Sequence, residues 1–234
     1  MCKVMGVRQE RYGVQVTTAA GRVRNPRGQG RRLREDILRA AAQLLDETGQ
    51  EQAVTLRAVA RRVGIAAQSI YGHFPDREHL LLAVVQEAFL ELTEALRDAQ
   101  VAAGGDPVAR LQAVAEAYLD FAQLRPQRYR VMFGGTWDAT DAVRAAAVSE
   151  AEAQALGQEA LGVIVDALRD CVDGGRSAST DPSNDALALW LGPHGLAHQR
   201  AVIPHFPWPA GIAARLVERL ALLSRSSGHG AVAS

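Results

Sequence analysis

The chain has 234 residues, of which 48% are hydrophobic and 22% are charged, enough for one large or two small domains with a buried core. Its only cysteines are Cys2 and Cys171, which excludes a disulfide framework and favours a reducing cytoplasm. The sequence has no run of about eighteen uncharged apolar residues and no signal-peptide core near its start. We therefore expect a cytoplasmic protein with no membrane partner.

The net charge of zero conceals an uneven distribution. Residues 1–80 contain fourteen Lys and Arg against eight Asp and Glu, whereas the remainder contains twelve against eighteen. A basic first part followed by an acidic second part is expected when only the first part meets phosphate groups.

Residues 1–29 show little periodicity and are basic. We interpret them as a flexible arm, which is either a solvated tail or a segment that, through Arg24, Arg27 and the following Arg31, reaches a nucleic-acid backbone or minor groove. A first long helix is predicted from about Arg31 to Glu47, and Gly49 ends it.

Residues 55–74 predict two short helices joined by a sharp turn. Thr55 is suited to cap the first helix, and Gly64 can end it at a positive φ angle. The residues between them place one apolar stripe on the helix: Leu56, Val59, Ala60 and Val63. A second helix opens at residues 66–69 and is closed by Phe74. This is the outline of a helix-turn-helix, with an ordinary αα corner as the alternative.

The side chains of the second helix favour the helix-turn-helix over the αα corner. They are small or hydrogen-bonding groups instead of a solvated mixture of Glu and Lys, and arginines flank them. A further helix begins directly afterwards, with Asp76 as its N-cap. In such a motif the second helix enters the DNA major groove.

Three segments resemble the DNA-binding domain of the TetR family of one-component transcriptional repressors: Thr55-Leu-Arg-Ala-Val-Ala, Gly64-Ile, and Ser69-Ile-Tyr-Gly-His-Phe-Pro-Asp-Arg-Glu-His-Leu. The resemblance runs from about Arg31 to Leu82. It implies that Tyr71, His73 and a basic residue early in the next helix contact the DNA backbone. Arg77 stands where lysine is commoner in the family.

The chemistry of the motif divides its candidate DNA contacts into two groups. Gln68 and Ser69 lie in the first turn of the second helix, which meets base edges, and Ala67 offers an apolar contact. Phosphate oxygens are the expected partners of the second group: Thr55, Tyr71, His73 and Arg77. Double-stranded DNA is thus the expected macromolecular partner.

The rest of the chain is predicted to be helical throughout, so the predicted fold class is all-α. The predicted helices cover about 76–103, 107–124, a short stretch from Pro126, 139–172, 183–202 and 209–224. We divide the chain into the basic arm at 1–29, a three-helix helix-turn-helix domain at 30–78 (the head), a helical-bundle ligand-binding and dimerisation domain at 79–225 (the body) and a frayed tail at 226–234.

Aromatic and methionine side chains concentrate in the body and predict a cavity for a small, largely apolar effector. The candidate ligand-binding residues are Tyr118, Phe121, Met132, Phe133, Trp137, Trp190 and His194. The alternative is that these side chains only fill a core, which we expect for about half of them. Trp190-Leu-Gly-Pro-His194-Gly195 also resembles a Trp-x-x-x-His-Gly pattern in the ligand-binding domain of one TetR subgroup.

His194 and His198 share one helix face and could hold a metal ion or a catalytic site. Against this, the sequence has no His-Glu-x-x-His motif, no phosphate-binding loop and no Gly-x-Ser-x-Gly elbow. We expect a non-enzyme without a cofactor, and a packed histidine pair.

A single recognition helix contacts too few bases, so a homodimer on a palindromic operator is expected. The last two helices are the predicted interface, through Leu187, Leu191, Ile212, Leu216, Leu220 and Leu223. Some of these leucines are expected to be intrachain core. The role as a repressor, as opposed to an activator, is implied by the resemblance alone.

Overall fold

The computed structural model describes residues 29–134, 137–144 and 146–224. Across these ranges the chain is built from α-helices, and its one strand-like feature is an isolated antiparallel bridge between Ser177 and Leu223. The all-α prediction is confirmed. Residues 1–28 of the arm predicted at 1–29, and the tail predicted at 226–234, lie outside the described residues.

The helices follow one another with short connections. Their bounds are α1 (Gln29–Thr48), a 3-10 turn (Glu51–Ala53), α2 (Leu56–Val63), α3 (Ala67–Ile70), α4 (Arg77–Ala102), α5 (Pro107–Leu124), α6 (Pro126–Phe133), α7 (Ala139–Arg144), α8 (Glu150–Ala155), α9 (Gln158–Asp173), α10 (Pro182–Val202) and α11 (Ile212–Leu220).

Local sequence signals set the ends of the helices in the head. The hydroxyl of Thr55 accepts a hydrogen bond from the N–H of Ala58 at 3.1 Å, and the carboxylate of Asp76 accepts one from the N–H of His79 at 2.9 Å. Gly64 has a φ of 78°, a left-handed conformation that glycine adopts without a Cβ penalty. Each of these three predicted helix ends is confirmed.

The second helix of the motif is shorter than predicted. Regular α-helix ends at Ile70, and a turn over residues 71–73 continues to Phe74, whose N–H donates to the carbonyl of Ile70 at 2.9 Å. The buried Ile70 and Phe74 anchor this turn in the head core.

The single helix predicted over about 139–172 is wrong, because the segment forms α7, α8 and α9. Ser149 and Glu152 form a capping box that starts α8. Gly157, at a φ of 76°, begins α9. The Ser-x-x-Glu spacing and the glycine were both visible in the sequence, but the continuous apolar periodicity outweighed them.

Two buried clusters form the core. The body cluster joins α4, α5, α9, α10 and α11 around residues such as Leu96, Tyr118 and Leu168. The head cluster contains Ile37, Val59 and Phe74, and it also includes side chains from the region of α6–α8: Val131, Trp137, Ala142 and Val148. The head core is therefore completed by a segment about sixty residues further along the chain.

The last two helices, α10 and α11, pack closely against each other. A Cβ atom at Gly192 of α10 would lie 2.6 Å from a methyl group of Leu220 on α11, so a larger residue there would force the Leu220 side chain to move. α10 continues through Pro193 without interruption. Among the helices of the described ranges, none combines the length and the apolarity that crossing a membrane requires.

Candidate functional site

The first candidate site is the exposed face of α3 and the turn after it. Ala67, Gln68, Ser69 and Tyr71 are exposed, and His73 is half-buried. Side-chain hydrogen bonds in this region are formed by Thr55, Asp76 and Arg77. Within the described part of the chain, no side-chain hydrogen bond involves Gln68, Ser69, Tyr71 or His73, so the polar groups of these side chains are free to bind an external partner.

Arg77 differs from the other candidates for DNA contact because its guanidinium group is engaged inside the protein. Its Nε donates to the carbonyl of Val54 at 3.2 Å, and one Nη donates to the carbonyl of Glu51 at 2.9 Å. The other Nη donates to the carboxylate of Glu78 at 3.1 Å. Arg77 therefore holds the backbone that precedes α2 in place. The sequence did not predict this structural role.

Two arginines that were not among the predicted contacts lie on the exposed side of α2. Arg57 and Arg61 are one helical turn apart, and neither has a carboxylate partner among the described residues. By contrast, Arg62 forms a bidentate ion pair with Glu47 of α1, and this hydrogen bonding lowers the pKa of the Glu47 carboxyl. The sequence contained a signal for this difference between Arg61 and Arg62, because adjacent residues face different sides of a helix.

The second candidate site is a cavity of about 200 Å³ in the body. No charged side chain of the described residues lines it. The lining residues are Phe89, Leu92, Leu96, Tyr118, Phe133, Leu156, Gly157, Gln158, Ala160, Leu161, Ile164, Leu187 and Trp190. They come from α4, α5, α6, the α8–α9 turn, α9 and α10, so the cavity is assembled from distant parts of the chain.

A chain of hydrogen bonds lies beside the apolar lining. The indole Nε1 of Trp190 donates to the hydroxyl of Tyr118 at 3.2 Å. The hydroxyls of Tyr118 and Tyr129 lie 3.0 and 2.9 Å from Nδ1 of His194. Because both tyrosines can donate, Nδ1 is suited to accept, which favours a neutral His194 with its proton on Nε2.

The pKa shifts agree with this neutral arrangement. Burial, helped by the nearby His198, lowers the pKa of His194 below its ordinary value. Burial also raises the pKa values of Tyr118 and Tyr129, so both phenols keep their protons. The polar groups beside the cavity are therefore uncharged near neutral pH.

The structure brings only some of the predicted ligand-binding residues to the cavity. Tyr118, Phe133 and Trp190 line it, and His194 packs on Trp190 and Phe133 with ring centroids 4.9 Å apart in each case. Phe121 is buried in the body core away from the lining, and Met132 packs against both clusters.

Trp137 is placed away from the cavity. It lies in the head cluster, and its Nε1 donates to the carboxylate of Glu78 at 3.1 Å. Tyr129 was not among the predicted ligand-binding residues and does not line the cavity, but its hydroxyl is hydrogen-bonded to His194. Aromatic clustering in the sequence identified the region but could not show which ring faces which core.

The surroundings of His194 and His198 do not favour the alternative metal or catalytic role. His194 is held by two tyrosine hydroxyls, whereas His198 is exposed. Across residues 29–134, 137–144 and 146–224, no group of three or more His, Cys, Asp or Glu side chains is arranged to hold a metal ion.

The predicted dimer residues fall into two sets. Leu187 and Leu191, one turn apart on α10, are 43% and 55% exposed. The second set is partly buried against the body core: Ile212, Leu216, Leu220 and Leu223. Sequence reasoning missed four further exposed apolar side chains near the same helices: Val202, Ile203, Phe206 and Leu222.

Both parts of the chain match models of known families. Residues 37–84 match the model described as bacterial regulatory proteins of the tetR family. Residues 111–232, more than half of the chain, match the model described as a tetracyclin repressor-like C-terminal domain. The finer resemblance to the Trp-x-x-x-His-Gly subgroup stays a prediction.

Relatives agree with these matches. The HTH-type transcriptional regulator BetI of Stenotrophomonas maltophilia is 32% identical over 98 residues, which are 42% of this chain and 50% of BetI. The nucleoid occlusion factor SlmA of Photobacterium profundum is 31% identical over 102 residues, 43% of this chain and 51% of SlmA. The chain thus spans about half the length of the curated relatives it matches.

Solved structures share the fold over most of the chain. A Rhodococcus sp. RHA1 protein of unknown function has a TM-score of 0.68 at 26% identity, covering 81% of this chain and 93% of that one. PfmR, a TetR family transcriptional regulator of Thermus thermophilus, has a TM-score of 0.54 at 22% identity, covering 80% and 96%. From both family matches, the chain belongs to the TetR family of DNA-binding transcriptional regulators.

Proposed function

We propose that this protein is a ligand-responsive repressor of the cytoplasm that binds a palindromic operator as a homodimer. In this proposal the head at 30–78 binds DNA and the body at 79–225 dimerises and binds an effector. Effector binding releases the protein from DNA, because the effector binds better to the conformation with the wrong spacing of the two heads.

The proposed response to a ligand rests mainly on one observation, the uncharged cavity in the body. It combines an apolar lining with one polar edge at Trp190 and Tyr118, and the hydroxyl of Tyr118 is hydrogen-bonded in turn to His194. A binding site of this composition suits a small apolar molecule with one hydrogen-bonding group.

The size and charge of the cavity limit the class of effector. A void of about 150 Å³ can hold benzene, so the cavity of about 200 Å³ suits one ring with a few further atoms. A carboxylate or an ammonium group would find no opposite charge on the described lining and would lose its hydration. We therefore expect a neutral effector, with a hydroxyl or carbonyl group directed to the tyrosine–histidine chain.

The cavity can take a longer molecule only if one wall moves. A second cavity of about 270 Å³ shares Phe89, Leu156, Gly157 and Ala160 with the first. Gly157 has a φ of 76°, and a Cβ there would lie 2.8 Å from the ring of Phe89, so a larger residue at this wall would be strained and would push the ring aside. Rotation of Phe89 would join the two cavities and admit an apolar tail.

On the DNA side, we assign base contacts to the start of α3 and backbone contacts to the residues around it. The base contacts are Ala67, Gln68 and Ser69, and the backbone contacts are Thr55, Tyr71 and His73. The free polar groups of α3 and the following turn support this assignment. Arg57 and Arg61 join the backbone contacts as cations without a carboxylate partner in the described chain. Arg77, predicted as a backbone contact, is assigned instead to holding the start of α2.

For the dimer, we assign the exposed stripe of α10 to the interface. Leu187 and Leu191 leave apolar surface in water that a second copy would cover. Gly195, one turn further on, has open space around a Cβ position, so a partner helix could approach closely there. Leu216 and Leu220 contribute mainly to the contact between α10 and α11 within one chain.

The first experiment is a mobility-shift titration of the purified protein on DNA flanking its own gene, at two salt concentrations. We expect a sequence-selective shift with dimer stoichiometry that weakens as salt rises. Weak binding that salt abolishes on every sequence would contradict the operator-binding role.

The second experiment tests the effector class on the isolated operator complex. Benzyl alcohol and benzoate, which share a ring but differ in charge, are titrated while operator release and thermal stability are measured. We expect the neutral alcohol to raise the melting temperature more than the anion does. A preference for benzoate would contradict the assignment of a neutral effector.

A further inference from the structure

The head and the body meet at α6, a helix of eight residues. Arg128 on α6 forms ion pairs with Asp46 of α1 and Glu91 of α4, and its side chain is only 13% exposed. Val131 is buried in the head cluster, while Met132 packs against both clusters. α6 is therefore fixed to the helices of the head as well as to the body.

The same helix forms part of the cavity wall. Phe133 lines the cavity and packs against Trp190 with ring centroids 6.1 Å apart. Leu156, which also lines the cavity, packs against the head cluster, as does Phe89. A molecule in the cavity would thus touch three side chains that belong to α6 or to the packing around the head.

Trp137 lies in the sequence between Phe133 and Leu156. Its ring is 8% exposed in the head cluster. Its Nε1 donates to one carboxylate oxygen of Glu78 at 3.1 Å, and the other oxygen accepts from Arg77 at 3.1 Å. Glu78 is part of the first turn of α4, directly after the DNA-facing turn.

Arg77 extends this chain of contacts to the start of the helix-turn-helix. It binds the carbonyls of Glu51 and Val54, at 2.9 and 3.2 Å. Val54 immediately precedes Thr55, the N-cap of α2. One continuous series of hydrogen bonds therefore runs from the indole of Trp137 to the backbone that positions α2.

We propose that Trp137 is a positioning residue that couples occupancy of the body cavity to the placement of the DNA-binding motif, through Glu78 and Arg77. The coupling to the cavity rests on the effector site proposed above, whereas the positioning of residues 51–58 does not. An occupant that displaces Phe133 or Leu156 shifts the indole, and the guanidinium group of Arg77 then loses its fixed carboxylate.

The first test compares Trp137→Phe with Trp208→Phe in the full-length protein. Both changes remove an indole N–H, but that of Trp208 has no partner among the described residues. Hydrogen exchange of peptides covering residues 51–58 is measured with the melting temperature and operator affinity. For Trp137→Phe we expect faster exchange confined to that region and about fivefold weaker operator binding, the scale of one ordinary hydrogen bond.

Equal exchange at residues 51–58 in both variants would overturn the positioning role, and so would a uniform increase across the whole protein. The exchange result does not require an operator. If the wild type fails to bind DNA selectively, the proposed repressor function fails, while the positioning of residues 51–58 is still decided by exchange.

The second test replaces the unknown effector with a side chain. Ala160 forms part of the cavity wall, so Ala160→Leu fills space in the cavity without touching the head. We expect this change to alter exchange at residues 51–58 in the presence of Trp137 and to have no effect there in the Trp137→Phe background. An equal effect in both backgrounds, or none in either, would overturn the coupling.

Discussion

The proposed DNA-binding surface and the body cavity are built in opposite ways. The surface uses residues from one continuous stretch, Thr55 to His73, in which α2 begins and ends at local capping signals. The cavity takes its lining from α4, α5, α6, α9 and α10, and its polar edge joins residues as far apart as Tyr118 and Trp190. The first site depends on local chain geometry and the second on packing between distant helices.

The two sites also differ in whether their polar groups are already hydrogen-bonded. The polar side chains of α3 have no hydrogen-bond partner within the described protein and are available to an external one. Those beside the cavity are already paired with one another, so the effector proposed above would have to compete with Tyr118 and His194 for hydrogen bonds. We expect changes in the first site to alter DNA selectivity without unfolding, and changes in the second to alter stability as well as response.

The largest expected effect comes from the residue that closes the head core. Phe74 is 1% exposed, and its ring packs under the guanidinium group of Arg34 at 4.4 Å. Phe74→Ala should lower the free energy of unfolding by about 3–5 kcal/mol, because it removes a buried ring and leaves a cavity. Urea unfolding measures this loss.

The control is Tyr71→Ala, which removes a 46% exposed ring three residues away. It should change the free energy of unfolding by less than about 0.5 kcal/mol. Similar losses in both variants would show that the turn after α3 contributes to stability through exposed contacts as well as through the buried ring.

A smaller loss is expected from the polar edge of the cavity. Tyr118→Phe keeps the ring but removes the hydroxyl that accepts from Trp190. The buried groups left without a partner should lower the free energy of unfolding by about 1–3 kcal/mol. Tyr71→Phe is the matched control, because its hydroxyl has no partner in the described part of the chain. Unchanged stability in Tyr118→Phe would mean that water or Tyr129 replaces the lost hydroxyl.

In the head, the sequence predicted the helix ends. Thr55, Gly64 and Asp76 act as helix ends because of their own backbone and side-chain chemistry, and each was predicted from its position. The role of Arg77 was not predicted, because its partners lie 23 to 26 residues earlier in the chain. Local rules give no information about such a contact.

In the body, the sequence predicted the helices better than their contacts. Trp137 and Phe133 are four residues apart and equally aromatic, yet one packs in the head cluster and the other lines the cavity. Phe133 ends α6 and Trp137 precedes α7, and no local signal in the sequence shows which core each ring enters. The single helix predicted over about 139–172 was wrong, because the segment breaks into α7, α8 and α9. A capping box outweighed apolar periodicity at that point.

The neutral state of His194 predicts a dependence of stability on pH. Its pKa is lowered in the folded protein by burial, so below a pH of about 6.5, the ordinary value for histidine, the unfolded chain binds more protons. Stability should therefore fall as the pH drops from about 6.5. Thermal unfolding between pH 7.5 and 5 measures the effect, and His194→Gln should flatten the curve.

Carboxyl groups contribute in a separate, more acidic range. The pKa values of Asp138 and Asp181 are lowered by hydrogen bonds from the backbone N–H groups of Thr140 and Asn184. Their stabilisation is present above a pH of about 4 and is lost below it. A loss between pH 6.5 and 5 that persists in His194→Gln would contradict the assignment to His194.

The smallest effect on the fold is expected from the exposed contacts of the head, where only DNA binding should change. Gln68→Ala should relax base preference at one operator position by about 1–3 kcal/mol, because glutamine can pair with adenine through two hydrogen bonds. Arg61→Ala should weaken all sequences alike and reduce the salt slope by about one. Operator libraries titrated at two salt concentrations distinguish the two outcomes. If both variants weakened every sequence equally, α3 would position the protein on DNA without reading bases, and the selectivity would have to come from the shape of the operator.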